Sequence, residues 1–172
     1  MIGAVVLLCL VCGGGIALLM SGGDSGGNGA PGVDDTGTTE KPAKVGEPVR
    51  DGKFEFVVKK VQCGVNEVGD EDFGEQAQGQ FCLVTLSVKN IGDEAQPFAD
   101  SDQKAFGANG KEYSADSDAG LVANENPDTF FADINPGNTL DGVVVFDIPA
   151  DAELATIELH DSLASGGARV TV

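Results

Sequence analysis

The sequence predicts an all-β sandwich of about seven to nine antiparallel strands, preceded by an N-terminal transmembrane or signal helix. Three observations carry this. After residue 44, short apolar runs alternate with period two between Gly, Asn, Asp and Pro turn signals. No segment of that region shows a helical period over more than one turn. Residues 2–20, IGAVVLLCLVCGGGIALLM, carry no charge at all.

At about 1.5 Å per residue, a helix over 2–20 spans roughly 28 Å, close to the roughly 30 Å hydrocarbon core of a bilayer. Residues 1–20 are therefore read as a transmembrane anchor. The rival is a secretory signal cut after Gly23, with Ser21 and Gly23 as the small residues. The basic residues that should precede a signal's apolar run are missing, which points to an uncleaved anchor or to a start upstream of Met1. A lipoprotein signal fits less well, because Val11 stands before Cys12 where a small residue is needed. Cys9 and Cys12 are read as small apolar residues of the membrane helix. Residues 21–44 are a Gly/Ser/Pro/Asp-rich linker with an end-to-end distance of roughly 27 Å as a flexible coil. Residues 45–172 are the folded domain.

The strands follow in order. Lys53–Cys63 alternates on Phe54, Phe56 and Val58, then changes parity at Val57, Val61 and Cys63, which suggests a bulge. Gln80–Asn90 places Cys82, Val84, Leu86 and Val88 on one face. Short strands are expected near Lys104–Phe106 and Lys111–Ser114, joined by the Asn109-Gly110 turn. Others are expected at Asp128–Ile134, Leu140–Ile148, Ala155–His160 and Ala168–Val172. Before the strand at 140–148, Pro136 and Gly137 suit the central positions of a type II turn. Leu140, Gly142, Val144, Phe146 and Ile148 then share the core face, and the bare Gly142 leaves room for another backbone or a bulky ring to come close. Asp141 and Asp147 take the opposite parity and should meet solvent.

Cys63 ends one predicted strand and Cys82 begins the next, with a glycine-rich acidic loop expected between them. A Cys63–Cys82 disulfide would staple the two strands and stabilise the domain by about 3 kcal/mol in the chain-entropy model. The apolar segment and linker point to the cell exterior, where disulfides persist.

From Val45 onward the chain resembles the telokin-like "domain of unknown function 4352" family of bacterial exported proteins. It is also similar to the secreted mycobacterial immunoprotective antigen that shares that fold. The matching pieces are Phe54–Val58, the strand and turn Val84–Glu94 with its N-x-G-D-E, the hairpin Asn109–Tyr113, and Asn135-Pro136-Gly137 followed by Gly142–Pro149. The resemblance implies an immunoglobulin-like β-sandwich behind a signal or anchor. It implies no catalytic residues.

The net charge of −18 and sequence pI near 4.1 oppose binding to nucleic acid and to anionic membrane surfaces. The single histidine, His160, is read as a solvated strand residue pointing outward beside Glu158. With no second imidazole, no G-x-S-x-G elbow and no Trp, no enzymatic activity is expected. No resident cofactor is expected either, with calcium as the one candidate. Fifteen acids face three lysines between Glu67 and Asp133, and Asp100, Asp102, Asp116 and Asp118 form two pairs with the spacing of oxygen ligands. Phe73, Phe98, Phe130 and Phe131 lie in or beside predicted loops, and Phe98, Phe130 and Phe131 are the candidate partner contacts. The expectation is a monomeric, membrane-tethered or secreted extracytoplasmic module. It would bind an extracellular protein, a cell-wall component or a small ligand. The alternatives are a structural or antigenic surface protein without a ligand, and an acidic calcium-binding module.

Overall fold

A computed structural model describes residues 42–70, 72–126, 129–130 and 132–172. The anchor at 1–20 and nearly all of the linker lie outside the described residues, as does Phe131. Among the described residues, no helix is long and apolar enough to cross a membrane.

Among the described residues, nine strands form two sheets. One sheet contains β2 (Pro48–Asp51), β3 (Phe54–Gly69), β4 (Gly74–Asn90) and β7 (Thr139–Ile148), in that order. The other runs β1 (Ala43–Lys44), β9 (Ala168–Thr171), β8 (Leu154–Leu159), β5 (Lys104–Gly107) and β6 (Glu112–Ser114). Every pairing is antiparallel except β1 with β9, which is parallel and departs from the all-antiparallel expectation. The core lies between the sheets, because period-two alternation turns one face of each strand inward. Phe54, Phe56 and Val58 of β3 meet Val84, Leu86 and Val88 of β4 and Val144, Phe146 and Ile148 of β7. Ala105, Ile157, Leu159 and Val170 close it from the other side.

The turn before β7 forms as the sequence suggests: Asn138 N donates to Asn135 O at 3.0 Å, and Gly137 has φ +79°. Gly142 is buried, and a Cβ there would stand 2.5 Å from Phe130 Cζ. Asp141 is exposed and bonded to Lys59, but Asp147 is half-buried. Its carboxylate accepts from Gln78 N and Gly79 N, so it serves as a clasp between the strands.

Four expectations need correction. First, the segment between Cys63 and Cys82 is not a loop. The disulfide is present, but β3 and β4 continue past it as an arm that turns back only between Gly69 and Gly74. Register shifts at Val58/Lys60, Gln62/Val65 and Val65/Glu67 reverse the side-chain parity, so no alternation survives in the sequence. Second, Asp128–Ile134 is not a strand: its described part contributes a turn at Thr129–Phe130 and a single bridge from Ile134 to Gln96. Third, a helix forms, α1 (Ser117–Ala123). It is too short, and interrupted by Gly120, to leave a period. Fourth, His160 is buried. β8 ends at Leu159, so strand parity no longer decides where the next side chain points.

Helix α1 covers the outer face of the four-stranded sheet. Ala119 packs with Val68, Phe81 and Val145 in a second apolar cluster, flanked by Leu83 and Val122. The edge of β7 away from β4 is closed by the ends of this helix. Asp116 N donates to Val145 O at 2.8 Å, and the Asn124 amide pairs with both Val143 N and Val143 O at 2.9 Å. A polar side chain thus satisfies the backbone groups of an edge strand.

Candidate binding pocket beside the helix

The segment from Gln96 to Gln103 crosses one end of the sandwich. Phe98 is buried at 1% exposure, against Phe54 and Phe56 at ring distances of 6.1 and 6.2 Å. The segment is pinned by buried Gln103, which donates to Ala99 O at 2.8 Å and His160 O at 3.1 Å and accepts from His160 N at 2.8 Å. Phe130 is half-buried and meets Phe98 edge to face at 5.1 Å, with its tip over Gly142. The absence of a side chain at Gly142 therefore fixes where Phe130 lies.

These two rings form the apolar wall of a pocket of about 420 Å³. Its opposite wall is α1, through Gly120 and Leu121. Asp100, Ser101, Ser117 and Asn124 supply the polar groups. Asp100 Oδ1 accepts from Ser101 N at 2.8 Å, while Oδ2 faces Gly120, 3.1 Å from where a Cβ would stand. The volume falls in the usual range for small-ligand sites, and the lining has their usual character: mostly apolar, with a few oriented polar groups.

The structure separates the residues singled out from sequence. Phe98, Phe130 and Asp100 come together in the pocket. Phe98 is buried within its apolar wall and is not an exposed anchor. Asp116 caps α1, accepting from Ala119 N at 3.0 Å, which is the ordinary work of an aspartate before a helix. Asp118 is exposed in the first turn, and Asp102 lies in the single 3₁₀ turn Asp100–Asp102. Among the described residues, no group of three or more His, Cys, Asp or Glu is placed to hold a metal ion. Sequence reasoning missed Ser117, Leu121 and Asn124. The available signal was Asp116 ahead of Ala119-Gly120-Leu121-Val122-Ala123, an N-cap before an apolar turn.

His160 lies away from this pocket. Its Nε2 meets Glu158 Oε1 at 3.0 Å, Arg169 Nε donates to the other oxygen of Glu158, and Nδ1 is 3.3 Å from Ser165 Oγ. Burial pushes the Glu158 carboxyl upward. The bonds and charges of Arg169 and His160 outweigh burial, and the group titrates below its ordinary value. The cluster ties β8 to β9 and is covered by Gly167, where a Cβ would stand 2.6 Å from His160 Cε1.

Among curated proteins none matches the chain. The fold is similar to that of several solved structures. The secreted protein MPT63 from Mycobacterium tuberculosis matches with TM-score 0.52 and 17% identity, over 74% of this chain and 95% of that one. The yjhA protein from Bacillus subtilis matches with TM-score 0.52 and 15% identity, over 76% and 98%. An uncharacterized β-sandwich protein from Clostridium difficile 630 matches with TM-score 0.50 and 16% identity, over 77% and 95%. The family described as Domain of unknown function (DUF4352) matches residues 43–170, the whole of the two-sheet fold, and the chain belongs to it.

Proposed function

We propose that this domain works outside the cytoplasm as a non-catalytic binding module, held at the membrane by residues 1–20 or released where that segment is cleaved. The Cys63–Cys82 bridge supports an oxidising compartment, and the secreted MPT63 is a precedent for the fold in that setting. The carrying observation is the pocket beside α1: two phenylalanines packed edge to face on one wall, one carboxylate, and no imidazole among its described lining residues. Among the described residues, Asp100 is its only charged lining group, so the favoured ligand is a small molecule with an apolar body and a cationic head. A ligand-free structural role would ask only for a uniformly polar surface, which this pocket is not.

The test is a thermal-shift panel of apolar amines and matched carboxylates on the full chain. The amines are expected to raise Tm, and Asp100→Asn and Phe130→Ala to abolish the rise. An unmoved Tm throughout the panel, or an undiminished response in Asp100→Asn, would count against the reading.

A further inference from the structure

On the other side of α1, a groove of about 770 Å³ runs between the helix and the end of the β3–β4 arm. Its floor is apolar, built from Val65, Val68, Leu83 and Val122. Two large apolar side chains stand on its lips, Phe73 at 76% exposure and Leu121 at 41%. Phe73 is held in place. Asp70 Oδ1 accepts from Asp72 N at 3.0 Å and from Phe73 N at 2.8 Å, and Asp70 N donates to Phe73 O, so the tip is a side-chain-braced turn. A braced turn holds the backbone beneath an exposed ring, so docking has only the side chain left to order.

Among the described residues, the charged groups that line the groove are all acids: Glu67, Asp70 and Glu125. Of the two lysines of β3, Lys59 is engaged away from the groove with Asp141 at 2.6 Å, and Lys60 reaches only its edge, where it donates to the lining residue Gln62 Oε1 at 2.7 Å.

We propose that this groove docks a basic amphipathic segment of a partner protein. An apolar side chain of that segment sits on Val68 and Leu83 beside Phe73, and its flanking Lys or Arg residues face Glu67, Asp70 and Glu125. Charge complementarity selects this occupant. A second copy of the chain would bring the same acids to the same face, and an anionic bilayer would be repelled by them. The site is distinct from the pocket lined by Phe98; among the described residues only Leu121 and Asn124 border both.

The experiment is selection of random twelve-residue displayed peptides on the immobilised full chain, followed by affinity measurement at low and high salt. Enriched peptides should carry Leu, Ile, Met or Phe flanked by Lys or Arg and weaken at least tenfold on Phe73→Ala. Glu67→Gln/Glu125→Gln should weaken them similarly and flatten the salt dependence. Asp93→Asn/Glu94→Gln, which lies outside the groove, should leave them within twofold. The proposal is overturned by enrichment of acidic or uncharged peptides, by no enrichment, or by peptides that bind Phe73→Ala as tightly as the parent. It is equally overturned by binding to phosphatidylglycerol vesicles that depends on Phe73, which would make the occupant a membrane. A dimer abolished by Phe73→Ala would likewise make it a second copy.

Discussion

Asn90 shows how one side chain can hold several segments together. It is fully buried at the end of β4, where its amide donates to Glu94 O and Ile134 O at 2.7 Å and accepts from Gly92 N at 2.8 Å. Its backbone meets the turn before β7 through Asn138 O at 3.0 Å and Gly137 N at 2.9 Å. The two sequence motifs N-x-G-D-E and N-P-G are thus the two halves of one knot. Asn90→Ala strands buried carbonyls and should cost about 1–3 kcal/mol or more, read as a lower urea midpoint. Glu158 carries a pH-dependent share of the stability. Its folded carboxyl titrates below the ordinary value, so its contribution is complete above the unfolded value of 4.5 and is lost as pH falls through the folded one. Glu158→Gln should therefore be less stable than the parent at pH 7, with the gap narrowing as denaturation is measured at progressively lower pH. A gap independent of pH would contradict this origin.

Among elements, the β3–β4 arm and α1 decide where a ligand can sit, and they were the hardest to read. The strands of the sandwich proper were legible because their inward positions, Val84, Leu86 and Val88 on one and Val144, Phe146 and Ile148 on the other, recur at period two. The apolar residues on the opposite parity, Phe81, Leu83, Val143 and Val145, lie under α1. The turn at Pro136-Gly137 and a close approach at Gly142 were also legible, because each follows from one residue's local geometry; that a ring makes the approach was not. The arm was not, since three bulges scramble its parity, and α1 was not, since seven residues give too short a period. Phe98 and Asp100 read from sequence as loop residues and Phe130 as part of a strand, but their convergence depends on Gly120 and Leu121 of the helix. His160 was misplaced because it stands one residue beyond its strand. The staple on the arm joins exposed Cys63 to fully buried Cys82, linking arm to core. Cys63→Ser/Cys82→Ala should lower stability by about 3 kcal/mol. In the parent, both thiols should resist alkylation until reduced, as checked by intact mass.

At the scale of the whole molecule, the charge of −18 should make the fold repel itself. Raising NaCl from about 10 mM to 200 mM, which shortens the screening length to under about 10 Å, is expected to raise Tm. Calcium should then add no more than magnesium at equal concentration; a calcium-specific rise abolished by Asp100→Asn/Asp102→Asn or Asp116→Asn/Asp118→Asn would establish a site there. The sheet order has a consequence for the timing of folding. The last strand, β9, lies between the first, β1, and β8, pairing Val170 with Ala43 on one side and Ile157 on the other. A chain emerging from its N-terminus can close and oxidise the β3–β4 hairpin once Asn90 is out, but its second sheet stays open until Val170 arrives. Until then Ile157 and the inner face around it stay uncovered, so this interval is when the nascent domain is most open to chaperones, proteases and its own neighbours.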